Sequence, residues 1–454
     1  MSLAIIILAA GKGTRMKSAK PKVMHTLAGK PMLQHVIDTA KQLSPSQLAV
    51  VSGNGADEVV PFLQNQQIDV VMQHEQKGTG HAVEQAKTSF ANSEQVLVLY
   101  GDVPLITTDT LQDLIESGDN NSLKVLTAIL EDPTGYGRIV RDYDDNMLCI
   151  TEEKDADEET KLINEINTGI MCIPAKWLTE ALSQLDNNNA QGEYYLTDLI
   201  AKAVNQGIEI NSVTCEDEME VAGINNRVQL AEVESYYQQL KATDLMMSGV
   251  TFRDPARVDI RGDIKAGQDI TIDINVIFEG NNTIADNVSI GAHCIIINSI
   301  IHEGAEILPN SIIENAEVGT NCSVGPFARL RPGTKLAAKA KVGNFVEVKN
   351  ANIGLGSKIN HLSYIGDTDM GADVNIGAGT ITCNYDGANK HRTVIGDRVF
   401  VGSDTQLVAP VTVEDGATIG AGSTIRKTVP GDALTLTKSE QKTVKGWQRP
   451  VKKN

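Results

Sequence analysis

Two rhythms of apolar residues divide the 454-residue chain. Up to about residue 225, short apolar runs alternate with stretches of helical spacing. Residues 3–10, 48–51, 96–99 and 125–130 predict strands, and residues 32–43, 79–86 and 177–185 predict helices. Such alternation predicts βαβ units around a mostly parallel sheet. In these sheets ligands bind beyond the C-terminal strand ends. Gly11-Lys12-Gly13 and Tyr100-Gly101-Asp102 both follow apolar strands, so both are expected at one crevice. Residues 226–247 hold few helix breakers and predict one long connecting helix, with a partner-binding helix as the alternative.

From about residue 252, large aromatics nearly vanish and apolar positions recur every six residues. One register runs Ile312, Val318, Val324, Leu330, Leu336, Val342 and Val348. After a one-residue slip it continues through Ile353, Ile359 and Ile365, and a last register runs Ile395, Val401, Leu407, Val413, Ile419 and Ile425. This period predicts a parallel β-helix of hexapeptide repeats, three to a triangular coil, with the aliphatic side chain inside. Between Ile376 and Ile395 the spacing is 19, one more than three repeats, and residues 382–391 are polar and turn-rich. An insertion there is expected to leave the solenoid as an outward loop, on a binding face.

The exit of the first strand carries the densest candidate chemistry. Gly11 and Gly13 allow the main chain to approach phosphate oxygens, and Lys12, Arg15, Lys20 and Lys22 add mobile positive charge around the same spot. This suits a nucleoside triphosphate. The dinucleotide fingerprint fails, because Met16 stands where its third glycine belongs, and the Walker A spacing is absent. The chain as a whole has 40 basic and 58 acidic residues, a net charge of −18. Nucleic acid and anionic membranes are therefore not expected as main partners. The six cysteines (149, 172, 215, 294, 322 and 383) form no C-x-x-C and no metal-ligand spacing, as expected of reduced thiols in a cytoplasmic protein. Residues 3–10 are too few to span a bilayer and follow no basic residue, so they read as a strand and not a signal peptide; no membrane insertion is expected.

The first loop is similar to the L-x-x-G-x-G-T-R-M…P-K signature of the sugar-nucleotidyltransferases, a family with a Rossmann-like α/β fold. Followed by hexapeptide repeats, it resembles over essentially the whole chain the bacterial bifunctional N-acetylglucosamine-1-phosphate uridyltransferase/glucosamine-1-phosphate acetyltransferase family. The most specific matching segments are residues 188–195, 325–333 and 375–389. The organisation expected is a uridyltransferase domain at 1–225, a linker helix at 226–247, and at 248–454 a left-handed parallel β-helix acetyltransferase domain with a C-terminal tail. The resemblance also implies a homotrimer with sites in clefts between chains.

For the first domain the resemblance implies attack of a sugar 1-phosphate on the α-phosphorus of UTP, with Mg²⁺ between the phosphates. Asp102, at a strand end, is the natural carboxylate ligand, a turn or helix cap being its plainer reading; the resemblance adds Asn225. Arg15 and Lys22 are candidates to stabilise developing charge. Uridine is expected against Leu8, Ala9, Gly11, Gln73, Gly78 and Thr79, with Gln73 offering both its amide N–H and C=O to the base. Tyr100 and Gly101 complete the nucleotide site. The sugar is expected against Gly137, Glu152, Asn167 and Thr168. Glu152 has acidic neighbours, so a solvated acidic face is its alternative.

For the second domain the resemblance implies acetyl transfer from acetyl-CoA to the amine of glucosamine 1-phosphate. His361 corresponds to the family's general base; alone, it reads as a surface turn histidine. Arg331 and Lys349 are expected on the sugar phosphate, and Tyr364, Asn375, Asn384 and Tyr385 on the sugar. Ala378, Ser403 and Ala421 map onto the coenzyme A groove, as does Lys438, where several relatives carry arginine. Cys383 has no basic partner in sequence and reads as structural. The basic tail 445–453 covers a neighbouring cleft or is disordered, and both readings stay open. Two other functions compete: a nucleotidyltransferase whose β-helix is only a scaffold, and a non-catalytic sugar-nucleotide-binding protein.

Overall fold

The apolar run at the N-terminus forms the strand Leu3–Ala9, buried throughout, inside a nine-stranded sheet. The computed structural model describes residues 2–437, 440–450 and 452, and the chain divides into two compact units, Met1–Tyr237 and Gln238–Asn454. In the first unit the strands run in the order Ile210–Cys215, Leu123–Ile129, Glu165–Pro174, Gln95–Tyr100, Leu3–Ala9, Gln47–Ser52 and Asp69–Met72. Alternate residues serve opposite faces. Leu3, Ile5 and Ile7 share a core with Leu33, Val36 and Ile37 of helix Met32–Gln42. Ala4, Ile6 and Leu8 share another with Val83 of Thr79–Gln85 and Leu178 of Ala175–Leu182.

Pairing is parallel except around Glu165–Pro174, which runs antiparallel to both neighbours and to the hairpin strand Gly137–Arg141, itself paired with Met147–Thr151. This hairpin and the helices Ala56–Gln64, Thr108–Glu116 and Asp198–Asn205 are absent from the apolar pattern, because they are short and part-exposed.

The long helix spans Arg227–Met247. It starts behind Asn226, whose Oδ1 accepts from the N–H groups of Val228 and Gln229 at 2.8 and 3.0 Å. The boundary between the units falls inside this helix. Val233 joins the first unit's core with Leu27, Met32 and Ile224, and Ala242 joins the second unit's core. Each half is thus docked on its own unit, and the segment is not a bare linker between domains ending at 225 and starting at 248.

In the second unit, parallel strands wind through sheets of eleven and seventeen strands into a parallel β-helix around one aliphatic core. Two details of the expected register change. Ile312 is half-exposed, and Ile313 is the buried residue. The side from Ile313 to Val318 has five residues, as do those from Ile296 to Ile301, Val348 to Ile353 and Ile365 to Met370. Each holds a left-handed Asn or Asp (Asn315, Asn298, Asn350, Asp367) with φ from 44 to 48°, which turns the corner in fewer residues. The interval of 19 is also not three repeats plus one. Ile359 pairs with Ile376, 17 residues on, but Ile376 pairs with Val401, 25 on. The loop adds eight residues to one coil and hangs from the same corner, after Asn384. All six cysteines are free, and no helix among the described residues is long and apolar enough to cross a membrane.

The corrected register makes a prediction. Ile313→Ala opens a cavity between Ile296 and Leu330 of adjacent coils and is expected to cost about 2–5 kcal/mol. Ile312→Ala is expected to cost much less. Urea unfolding followed by circular dichroism measures the difference, and equal losses would refute the register.

Candidate active sites

Leu3–Ala9 ends at a cavity of about 380 Å³ whose lining includes Leu8, Ala9, Gly11, Lys22, Gln73, Gly78, Thr79, Tyr100 and Asp102. Residues from four separated segments thus meet at one cavity. Lys12, Gln76 and Glu193 line it too; Glu193 belongs to the matching segment 188–195, whereas Gln76 carries no sequence signal, because its neighbours are ordinary polar loop residues. Gly101 N–H donates to the Leu8 carbonyl at 3.0 Å, which ties the two strand exits together. Gly13 has φ +56°, and a Cβ there would lie 2.7 Å from the Lys22 Cβ. Only glycine lets the loop pass so close to Lys22.

One polar node joins the cations to the acid. Lys22 Nζ donates to Asp102 Oδ2, and to Asn225 Oδ1 at 3.0 Å. Arg15 Nη2 donates to the same Asn225 oxygen at 2.9 Å. The Asp102 carbonyl accepts from Ile224 N–H at 2.9 Å, so the backbone holds Asn225 beside it. The Asp102 side chain therefore serves the cavity and does not cap a turn. Lys20 is exposed, and its backbone N–H donates to Ser18 Oγ at 3.1 Å.

At the opposite end, Gln73 is 3% exposed. Its Nε2 donates to the Gly78 carbonyl at 3.1 Å and lies 3.0 Å from His81 Nδ1. Both amide protons therefore stay within the protein, which corrects the expectation that N–H and C=O both face the base. Gly78 has φ +108°, and a Cβ would meet the Tyr194 carbonyl at 2.5 Å.

The expected sugar end is built by a bulge. The register of Glu165–Pro174 shifts between Asn167 and Met171, which leaves Thr168, Gly169 and Ile170 out of the ladder, while Asn167 still pairs with Thr127 and Gly137. Asn167 Oδ1 accepts from Gly169 N–H at 3.0 Å, and Thr168 Oγ1 donates to the Leu126 carbonyl at 2.7 Å. Gly169, at φ +87°, lies under the Tyr100 ring. Burial pushes the Tyr100 phenol well up, with Glu152 and Asp102 adding to it. Glu152 sits below Gly137 and accepts from Thr197 Oγ1 at 2.8 Å. Burial pushes its carboxyl up, and Asp155 and Glu193 push the same way. It is an enclosed carboxyl, not part of a solvated face.

In the second unit, His361 ends the strand Lys358–His361, exposed, with Nδ1 2.9 Å from Asn344 Oδ1. Backbone bonds from Leu362 to Asn344, Gly379 to Leu362, Asp404 to Ala378 and Gly422 to Ser403 connect one corner of successive coils. His361, Ala378, Ser403 and Ala421 consequently form one column. Lys438 lies outside the described residues.

A second group gathers at the corner carrying the loop. Arg331 Nη1 donates to Glu347 Oε1 at 2.6 Å, and Glu347 pairs across the strands with Tyr364. Asn384 Nδ2 donates to Asp367 and lies 3.5 Å from the Tyr364 hydroxyl. Burial pushes the Asp367 carboxyl up, but the amides of Asn350 and Asn384 and the charges of Lys390 and Lys349 outweigh it, leaving it below its usual range. Contact with Lys390 pushes the Lys349 ammonium down, with burial and Arg331 helping. Lys390, not singled out by sequence, is thus the third cation of the group. Tyr385 is exposed and donates to the Gly387 carbonyl at 2.6 Å. Asn375 stands apart, in the eleven-stranded sheet, whereas Tyr364 belongs to the seventeen-stranded one.

Family models match the chain in three places: a MobA-like NTP transferase domain at 5–195, a GMPPB C-terminal domain at 260–353, and six bacterial transferase hexapeptide repeats at 392–427. Among curated proteins, the Bifunctional protein GlmU of Marinobacter nauticus is 52% identical over 450 residues, 99% of each chain. Among solved structures, a Bacillus anthracis protein provisionally named a glucose-1-phosphate thymidylyltransferase, crystallised with a sucrose, has a TM-score of 0.42 at 19% identity, covering 52% of this chain and 95% of that one.

The glycine loop can be tested directly. Gly13→Ala forces a left-handed residue against Lys22 and is expected to cost the first unit about 1–2 kcal/mol. A Cβ at Gly11 meets nothing within 4 Å, so Gly11→Ala is expected to leave stability unchanged. Thermal unfolding of both variants decides the point.

Proposed function

Since the chain belongs to the family of bifunctional GlmU proteins, we propose that uridylyl transfer takes place at the cavity between Gly11 and Asp102 and acetyl transfer along the His361 column. The enzyme acetylates glucosamine 1-phosphate from acetyl-CoA, then transfers the uridylyl group of UTP to N-acetylglucosamine 1-phosphate and releases pyrophosphate. The observation that carries the placement is the meeting of Arg15, Lys22, Asp102 and Asn225 at the rim of one cavity.

In uridylyl transfer both reactants are anions, and the sugar phosphate is already ionised. The protein's task is therefore positioning and charge neutralisation. Arg15 and Lys22 face the triphosphate and offset the charge that builds on pyrophosphate. Asp102 and Asn225 turn their oxygens onto one cation, the Lys22 ammonium, so the donor set suits a hard metal ion. Asp102 and Asn225 would hold Mg²⁺, which would supply positive charge to offset that of the triphosphate. Gln73, Gly78 and Thr79 receive the base, while Gly137, Glu152, Asn167 and Thr168 receive the sugar.

In acetyl transfer, Asn344 accepts from His361 Nδ1–H and leaves Nε2 free to take a proton from the attacking amine. Arg331, Lys349 and Lys390 hold the sugar phosphate; the arriving anion relieves the repulsion between the two lysines. Tyr364, Asn384 and Tyr385 hold the sugar, and coenzyme A lies along Ala378, Ser403 and Ala421. We read the active form as a cytoplasmic homotrimer. Asn375 reaches the same substrate as Tyr364 only if copies share a cleft. The exposed, stacked rings of Phe327 and Phe345, 5.4 Å apart, with exposed Leu362 on the next coil, offer an apolar ridge for such packing.

The test follows thiol and pyrophosphate release together, omitting one donor at a time. His361→Ala is expected to abolish thiol release and spare pyrophosphate release from supplied N-acetylglucosamine 1-phosphate. Asp102→Ala is expected to do the reverse. Loss of both activities in each folded variant would sink the assignment of one reaction to each site.

A further inference from the structure

We propose that His81 is a specificity-determining positioning residue: it locks the Gln73 amide so that only an oxygen faces the base, which selects uracil over cytosine. The inference rests on the reading of this cavity as the uridylyl site, with Gln73 beside the base.

The Gly78 carbonyl decides the orientation of the amide. A carbonyl oxygen only accepts, so the Gln73 atom 3.1 Å away must be Nε2. That carbonyl is fixed in its turn, because it also accepts from Ala82 N–H at 3.2 Å and its loop is tied to Tyr194 through Tyr194 N–H to the Lys77 carbonyl and Gly80 N–H to the Tyr194 carbonyl, both at 2.8 Å. The same Nε2 lies 3.0 Å from His81 Nδ1. With Nε2 the donor, Nδ1 must be the bare, accepting nitrogen. The ring proton then sits on His81 Nε2, and the exposed Gln85 amide, whose nitrogen lies 3.2 Å away, must turn its oxygen to that proton. Gln73 is only 3% exposed, so water does not offer its amide substitute partners. Turning it over would break two hydrogen bonds and set an oxygen against two acceptors.

What remains is Oε1, which makes no hydrogen bond with the described residues, in a side chain that lines the cavity. It accepts but never donates. Uracil presents an N3–H at its pairing edge and satisfies it. Cytosine presents a bare N3 lone pair there and is repelled. Without His81 the amide keeps one of its two restraints and turns more readily, offering N–H to cytosine. His81 itself need not touch the nucleotide, so it acts through Gln73.

The experiment compares UTP with CTP on the full-length enzyme, as pyrophosphate released with N-acetylglucosamine 1-phosphate and Mg²⁺. His81→Leu removes the acceptor and is expected to lower the UTP:CTP ratio of kcat/KM by about tenfold, the worth of one hydrogen bond. His81→Asn places an acceptor near the lost Nδ1 and is expected to restore the ratio. The ratio does not depend on the fraction of folded enzyme, so partial misfolding does not mask the result. An unchanged ratio in His81→Leu, or one equally low in His81→Asn, would overturn the role of His81. Gln73→Leu separates the two levels of the argument. A collapsed ratio there, with His81→Leu unchanged, leaves Gln73 as the base reader and removes only the lock. An unchanged ratio in both variants would overturn the placement of the base as well.

Discussion

Parallel strand pairing is the constraint on which both halves of this molecule depend. A parallel ladder uses the backbone groups along its length and cannot turn back in a tight hairpin. Both units answer by stacking strands in register and leaving the candidate site side chains where the ladder stops. In the first unit that place is the row of C-terminal strand ends, where Gly11, Gln73 and Asp102 follow three different strands. In the second it is the corners of the coil. The column of His361, Ala378, Ser403 and Ala421 occupies one, and Asp367 with the loop after Asn384 occupies another. The antiparallel strand Glu165–Pro174 is the exception, and it adds a bulge directly after Asn167.

Much of this was legible in the sequence because it is periodic. Buried aliphatics every six residues have few alternatives, and an apolar run ending in two glycines and a group of cations has few others. What stayed hidden is aperiodic or acts through distance. Ile312 and Ile313 are equally apolar, so only the left-handed Asn315 shows which one points inward. The loop at residues 384–391 looks like one surplus residue because the 19 residues from Ile376 to Ile395 match three repeats in length, whereas Ile395 pairs with Met370 and stands only two sides on. Glu152 sits among acids in sequence, and its enclosure comes from Thr197 and the strand under Gly137. Lys390 lies in a polar loop with no pattern, and only the fold brings it against Lys349. The hairpin strands 137–141 and 147–151 mix buried and exposed positions too irregularly for either period.

The side chains of the proposed sites share a further property that no one-dimensional pattern expresses. An amide or an imidazole has nearly the same shape in two orientations but opposite chemistry in each. A site that uses one must therefore hold its orientation. Two of the holding groups are acceptors that have no proton to give: the Gly78 carbonyl orients Gln73 and the Asp367 carboxylate orients Asn384. His361 faces the Asn344 side-chain oxygen. The Asp367 carboxyl remains an acceptor because its amide and ammonium neighbours hold it below its usual range.

This arrangement explains why the polar networks extend one residue past the cavity wall. A hydrogen bond to substrate distinguishes donor from acceptor only if the protein group cannot turn over at small cost. In water that cost is low, since solvent offers partners to either orientation. In a buried side chain such as Gln73 or Asn384 the cost is set by the neighbouring acceptors alone. Discrimination at these sites is then a property of pairs. The residue facing the substrate supplies the contact, and the residue behind it determines the contact's sign.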